Sequence, residues 1–350
     1  MIAIATAAKG AASSAFVEVC GHGRVLRSEL ETGEGQPPPA WADAVDQQVR
    51  RAQAQLLERL DDGALKQRVA AALLREDVQG AAGLVAQTND ATAYRLALRA
   101  CRKDAQYRAV YAAYRAVPPA SAASGFWTPE LMPPGAQPTA CAALTLERME
   151  MLSPDDAWPA LVRLNEAHGR RDDAATAQAL YPLGQRGYRA HSARPLSDVL
   201  AEAVGAEPTM AETLLLMTAA SSDMSTYIEG APSGVIHACQ PSRVVDANRR
   251  QLCEQVARRL PDITTELLDA RLLHLLEERL SLPHSAQAVT HAELERLQQV
   301  LRKEPQAWMD EPSCANFTRA GQHLAMSARQ GELAYARARL KEGTAAAGPH

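Results

Sequence analysis

Ser153-Pro154-Asp155-Asp156-Ala157-Trp158, running on through Leu161, Gly169 and Ala174, reads as a helical hairpin. Ser153 is predicted to cap the first helix, because its hydroxyl can accept from an orphan N–H of the first turn. Pro154 suits the first helical position, where its missing donor costs nothing. Asp155 and Asp156 place negative charge at the positive end of the helix dipole. Trp158, Leu161, Val162, Leu164 and Asn165 follow helical spacing until Gly169, which offers a left-handed stop. A second helix is expected from Asp172 or Asp173, with Ala174, Ala177, Leu180 and Tyr181 on one face.

The positions of Pro154, Trp158, Leu161, Gly169 and Ala174 resemble the tetratricopeptide pattern over about one repeat, residues 153–185. Val162 stands where that family has glycine, Asn165 stands where it has an aromatic residue, and no closing proline follows in register. The resemblance implies hairpins that stack and present a ligand-binding surface. An ordinary helical hairpin is the alternative.

Composition points the same way. Of the 350 residues, 47% are hydrophobic but only 4% aromatic, so alanine and leucine must do most of the packing. That favours closely approaching helices over a sheet of β-branched and aromatic side chains. A net charge of −4, with acidic and basic residues interspersed, argues against a nucleic-acid partner. No apolar run is long enough to span a bilayer. Met1–Ala8 is apolar but lacks a basic leading region. Taken as the true start it places the chain in the cytoplasm; a signal or anchor upstream would place it in the envelope.

Residues 1–40 hold the one strand signal, Ala15–Arg27 around Cys20-Gly21-His22-Gly23, and a Gly/Pro linker at Gly33–Pro39. Residues 41–116 form a first helical section: Trp41–Leu60, with Val45, Val49, Ala52, Leu56 and Leu57 as its apolar stripe, then Leu65–Leu74, Val78–Ala86, Ala91–Cys101 and Tyr107–Ala116. Residues 117–138 are a Pro/Ser/Gly-rich loop whose Phe126 and Trp127 suggest that it folds back on a surface. Residues 139–342 form a second helical section. It comprises Thr139–Leu152, the Trp158 hairpin, Leu196–Val204, Thr209–Ala220, an irregular stretch at Ser221–Gln240, Val244–Leu260, Thr264–Leu280, His291–Leu301, Cys314–Arg329 and Glu332–Lys341. Thr290 and Glu293 make a capping-box pattern, Gly331 and Gly343 are stop signals, and 343–350 is an expected disordered tail. The fold expected is all-α: stacked antiparallel hairpins, a degenerate tetratricopeptide-like α-solenoid, with a short N-terminal β-hairpin.

Chemistry-bearing patterns are absent. The nine histidines form no HExxH or related metal motif, and no phosphate-cradling glycine loop precedes a helix. His274 reads as a packed or rim histidine, and His284 and His291 flank a turn without an acidic partner at ligand spacing. A Cys20–His22 thiolate pair is disfavoured by the flanking glycines, and Pro232-Ser233-Gly234 lacks a nucleophile elbow. Glu277-Glu278-Arg279 and Arg249–Arg250 read as solvated faces. No catalytic, cofactor or metal residue is therefore assigned. The expected function is non-catalytic binding of a protein or peptide, with an α-helical enzyme built from dispersed residues as the alternative.

The six cysteines contain no CxxC and no zinc-ligand spacing. They suit either buried thiols in a reducing compartment or three disulfides in an oxidising one. On the second reading Cys239, just before Pro241, is predicted to meet Cys253 on the helix that follows. Cys101, ending one helix, is predicted to meet Cys141, beginning another, and Cys20 and Cys314 pair by elimination. The segments Val17–Val25 and Ala247–Ala257 also resemble stretches in uncharacterised cysteine-bearing helical proteins of proteobacterial genomes. That resemblance implies paired cysteines and an envelope location, and carries no activity with it.

Overall fold

The computed structural model describes residues 15–30, 38–115 and 139–346, and within them the chain is mostly helical. Met1–Ala8, most of the Gly33–Pro39 linker, the 117–138 loop with Phe126 and Trp127, and the last four residues lie outside the described part. Two compact units are formed, one by the residues up to Arg59 with those from Asp155 onward, the other by Leu60–Pro154.

The expected hairpin is present. Strands β1 (Phe16–Val19) and β2 (Gly23–Leu26) pair antiparallel, with Val17 opposite Val25 and Val19 opposite Gly23. Gly21 and Gly23 take φ of 83° and 107°, which a side chain would resist, so the turn needs them. Alternation buries Val17, Val19 and Val25 and leaves Phe16 and Leu26 exposed. A short helix α1 (Arg27–Leu30) follows, then α2 (Ala40–Asp61), which buries Val49, Leu56 and Leu60 along its predicted stripe.

The Leu60–Pro154 unit contains α3 (Leu65–Leu74), α4 (Val78–Val85), α5 (Ala91–Arg115), α6 (Thr139–Ala142) and α7 (Leu146–Leu152). Helices α3, α4 and α5 pack on one another. The Asp77 carboxylate caps α4 by accepting from the Gly80 N–H at 2.8 Å, and the Asp90 carboxylate accepts from Ala93 N–H at 3.0 Å at the head of α5. Two expectations are corrected here. Ala91–Cys101 and Tyr107–Ala116 are not separate helices, because no glycine or proline interrupts 102–106 and Asp104 pairs with Arg108 one turn on at 2.9 Å. Thr139–Leu152 is two helices, because Thr145 adopts an extended backbone and caps α7 at the Arg148 N–H.

The other unit continues with α8 (Trp158–Gly169), α9 (Asp173–Gln185), α10 (Pro195–Ala203), α11 (Met210–Tyr227), α12 (Ser233–Ala238), α13 (Ala247–Arg259), α14 (Leu267–Leu280), α15 (His291–Asp310), α16 (Cys314–Gln330) and α17 (Glu332–Ala346). Ser221–Gln240 is therefore largely helical: α11 runs on to Tyr227, and a 3₁₀ turn leads into α12. Gly331 does end α16, at φ 81°, whereas Gly343 lies inside α17 and the helix reaches four residues, 343–346, into the expected tail. The Thr290 hydroxyl accepts from Glu293 N–H as expected, but the Glu293 carboxylate turns to Arg337 instead of completing the box.

The α8–α9 hairpin forms with a different start. Ser153 closes α7, and α8 begins at Trp158, whose N–H donates to the Asp156 carboxylate at 2.9 Å. Pro154 and Asp155 are held in the preceding turn, where the Asp155 carbonyl accepts from Arg189 N–H. The proline of the first helical turn is Pro159. The left-handed residue after α8 is Arg171, at φ 56°, and not Gly169. Helix α9 starts at Asp173, one of the two expected positions, with Asp172 as its cap; Leu180 is buried as expected, with Thr176, Leu183 and Gly184 beside it, while Ala174 and Tyr181 point to solvent.

One core joins α8, α9, α12, α13 and α14 around Leu164, Leu180, Val235, Cys239, Cys253, Val256 and Leu276. A second joins α14, α15 and α17 through Leu267, Ala270, Val289, Leu297, Leu333 and Ala336. Helix α16 packs on α10 and α11, and approaches so closely that a Cβ on Gly321 would run into Thr213 and Pro208. Leu180→Ala should lower the stability of this unit by about 2–5 kcal/mol through the cavity it leaves. Tyr181→Ala should change it by less than about 0.5 kcal/mol. Comparable losses in chemical denaturation of the two variants would contradict the assigned face.

Candidate functional site

The six cysteines come together as three pairs at disulfide distance, Cys20–Cys314, Cys101–Cys141 and Cys239–Cys253, with Cα separations of 4.5, 5.5 and 5.8 Å. They are the predicted partners, and no cysteine among the described residues is free. Cys20 is thus unavailable to His22, which stacks on Trp41.

Of the other residues weighed in the sequence, most serve the fold. Trp158 and Leu161 are buried on the inner face of α8, and Gly169 is exposed at its end. Asn165 donates to the Glu229 and Ala231 carbonyls at 2.7 and 3.0 Å. Glu277 is no solvated residue: it is 3% exposed and accepts from Ser285 N–H, with His284 3.3 Å away. That contact corrects the view of His284 as lacking an acidic partner, and its ring stacks on His274 and not on His291. His291 has its own acid, Glu295, at 3.4 Å. Arg249 and Arg250 are also engaged, the first with the Asp173 carbonyl and the second with Glu254. Among the described residues no group of three or more His, Cys, Asp or Glu side chains is arranged to hold a metal.

The densest chemistry among the described residues lies at positions that no sequence motif marks. Three helix starts meet around Arg194, the cap residue of α10. Its guanidinium donates from Nε to Glu266 at 2.9 Å, and its Nη2 stands 2.8 Å from Glu266 and 2.9 Å from Glu332. Glu266 is the cap residue of α14, and Glu332 opens α17. The Glu332 carboxylate also accepts from Leu267 N–H at 3.1 Å, so the acid of one helix caps the next. From α11, the Tyr227 hydroxyl donates to Asp269 in the first turn of α14. One turn earlier on the same helix, the buried Asp223 carboxylate caps α10 by accepting from Leu196 and Ser197 N–H and the Ser197 hydroxyl.

One guanidinium serves both Glu266 and Glu332, whose charges also act on Asp269, and the charge does not balance if all three acids ionise. Burial lifts Glu266 well above the usual carboxylate range, and Glu332 adds to the rise while Arg194 opposes it. Asp269 is pushed up to about 7, first by desolvation and then by Glu266 and Glu332, against the Tyr227 hydrogen bond. Tyr227 itself is raised by burial and by the neighbouring Asp269. Burial works against the Arg194 charge, yet Glu266 and Glu332 outweigh it and hold the proton more firmly.

The same helices carry apolar side chains into solvent. Met224, one turn before Tyr227, is 53% exposed, and Leu268, beside Asp269, is 52% exposed. Titrating Asp269 thus has an exposed apolar neighbour in Leu268, and its partner Tyr227 has one in Met224. Compared with protein-family models, curated proteins and solved structures, the chain matches none of them.

Because Asp269 holds its proton in the fold up to about pH 7 but releases it near pH 4 when unfolded, its contribution is fully present in acid and is lost as pH rises through about 7. His168, depressed by burial and by His237 and Arg243, works in the opposite direction below its ordinary range. Asp269→Asn keeps an acceptor for Tyr227, leaves His168 untouched, and isolates the acid. Between about pH 5.5 and 8 the native chain should lose about 2 kcal/mol more stability than this variant. Parallel denaturation curves across that window would contradict the assignment.

Proposed function

We propose that this chain is a non-catalytic scaffold that binds a protein or peptide through the outer face of α11 and the adjoining Leu268. The observation carrying this reading is a helix face without charge. In a chain with 22% charged residues, Asp223 is the one charged residue from Thr213 to Tyr227, and it is turned inward onto α10. Leu214 and Met217 are partly exposed, and Thr218, Ser221, Met224 and Ser225 are exposed. A stripe of Met and Leu with small hydroxyl residues suits apolar side chains of a partner, since methionine adapts its shape to what it meets. Within the scaffold, we read the α8–α9 hairpin as the tetratricopeptide-like unit, on the strength of buried Trp158 and Leu161 and the packing of α9 on α13.

Three disulfide pairs favour an oxidising compartment outside the cytoplasm. Among the described residues no helix is long and apolar enough to cross a membrane. The second reading, a helical enzyme, draws on the raised Asp269 and Glu266. The contacts of these acids weigh against it: Arg194 grips Glu266 and Glu332, and Tyr227 grips Asp269, which leaves the carboxylates committed to the fold.

A displayed peptide library panned against the purified chain should enrich peptides rich in apolar residues. Met224→Asp should bind them roughly ten-fold more weakly, with its circular dichroism unchanged. No enrichment, or peptides that bind native and variant chains alike, would overturn the proposal.

A further inference from the structure

The three disulfides sit in very different surroundings. Cys239 and Cys253 are both fully buried in the core shared by α9, α13 and α14. Cys101 is buried and Cys141 is half-buried. Cys20 is buried, but Cys314 is exposed. Cys314 is also the first residue of α16, directly after the Ser313 cap, whose hydroxyl accepts from Asn316 N–H at 3.3 Å. That position is the head of a helix of 17 residues, the end at which the helix dipole favours negative charge.

We infer that Cys20–Cys314 is a thiol–disulfide exchange site that latches the N-terminal hairpin and opens to small thiols or protein dithiols while the other two bonds stay closed. The incoming thiolate attacks Sγ of Cys314, the more exposed residue of the pair. A new sulfur–sulfur bond forms there, the Cys20–Cys314 bond breaks, and its electron pair leaves with Cys20, which takes up a proton. A second thiol then attacks the mixed disulfide at the sulfur of the first. Cys314 departs as a thiolate at the head of α16, and the reductant leaves as its own disulfide. Two electrons pass from two thiols to one protein disulfide, and the balance closes.

The consequence follows from what else holds the hairpin. Cys20 N–H donates to the Pro312 carbonyl at 2.9 Å, His22 stacks on Trp41, and Trp41 Nε1 donates to Glu29 at 3.2 Å. Of these, the Pro312 bond is the one that reaches the chain next to α16. The disulfide spans 294 residues of sequence, so its loss releases a far longer loop than the 40 and 14 residues of the others. Reduction should therefore free the hairpin from Pro312–Cys314 without dissolving the core around Cys239–Cys253.

The test exposes the native, full chain to reduced glutathione without denaturant, quenches with an alkylating reagent at intervals, and counts the label on each cysteine by peptide mass spectrometry. Cys20 and Cys314 should become labelled roughly ten-fold or more ahead of Cys239 and Cys253. The trapped glutathione adduct should sit on Cys314. Hydrogen exchange of the Phe16–Leu26 amides should rise in the partly reduced chain, while that of α13 stays constant. Simultaneous opening of all three bonds, earlier opening of Cys101–Cys141, an adduct on Cys20, or unchanged exchange in the hairpin would each overturn the inference.

Discussion

One guanidinium held between the buried Glu266 and the half-buried Glu332 organises the larger unit. Arg194 reaches Glu266 and Glu332 at 2.8 and 2.9 Å, and its side chain is only 15% exposed. These residues lie at the starts of α10, α14 and α17, where free N–H groups already demand acceptors. Glu332 supplies one to Leu267, and Asp223 supplies two to α10. Gathering these carboxyls around one cation is costly, and the fold offsets that cost by holding protons more firmly on Glu266 and Asp269. Removing the cation would leave buried acids with no counter-charge, which is far worse than losing a pair at the surface.

Helix α11 connects this node to the proposed binding surface. Its inward face carries Asp223 to α10 and Tyr227 to Asp269, and its outward face carries Met217, Ser221 and Met224. A helix anchored by two buried polar contacts on one side can present apolar side chains on the other without rotating to hide them. Tyr227, bonded to the titrating Asp269, lies one turn from Met224, so the acid and the proposed surface share a single helix. The disulfides fix different things: Cys239–Cys253 lies inside the core, whereas Cys20–Cys314 ties the hairpin to the head of α16.

Much of this was legible locally and little of it globally. The glycine turn at Gly21–Gly23, the caps at Asp172 and Ser313 and the apolar stripe of α2 are short-range features, and short-range physics decided them. The cysteine pairs followed from the chain reversals around Cys141 and Cys239, although Cys101 proves to lie inside α5 and not at a helix end. The start of α8 did not follow, because Asp156 caps it as well as Ser153 would, and the Arg189 contact that selects Asp156 comes from a remote segment. The inward face of α9 was read correctly at Leu180 and misread at Ala174 and Tyr181: alanine and tyrosine fit either side, and contact with α8 and α13 chose Thr176 and Leu183. The Arg194 node left no trace, since Arg194, Tyr227, Glu266, Asp269 and Glu332 are spread over 139 positions of sequence and each resembles an ordinary surface residue.

The most direct test is a double-mutant cycle of Arg194→Met and Glu332→Gln, read by chemical denaturation at about pH 8 and about pH 5.5. Arg194→Met should cost about 3–5 kcal/mol at the higher pH and clearly less at the lower, where the acids retain their protons. Its coupling to Glu332→Gln should be about 1–3 kcal/mol. A loss below about 1 kcal/mol that does not change with pH, with no coupling between the two positions, would place Arg194 among ordinary surface pairs and contradict the account.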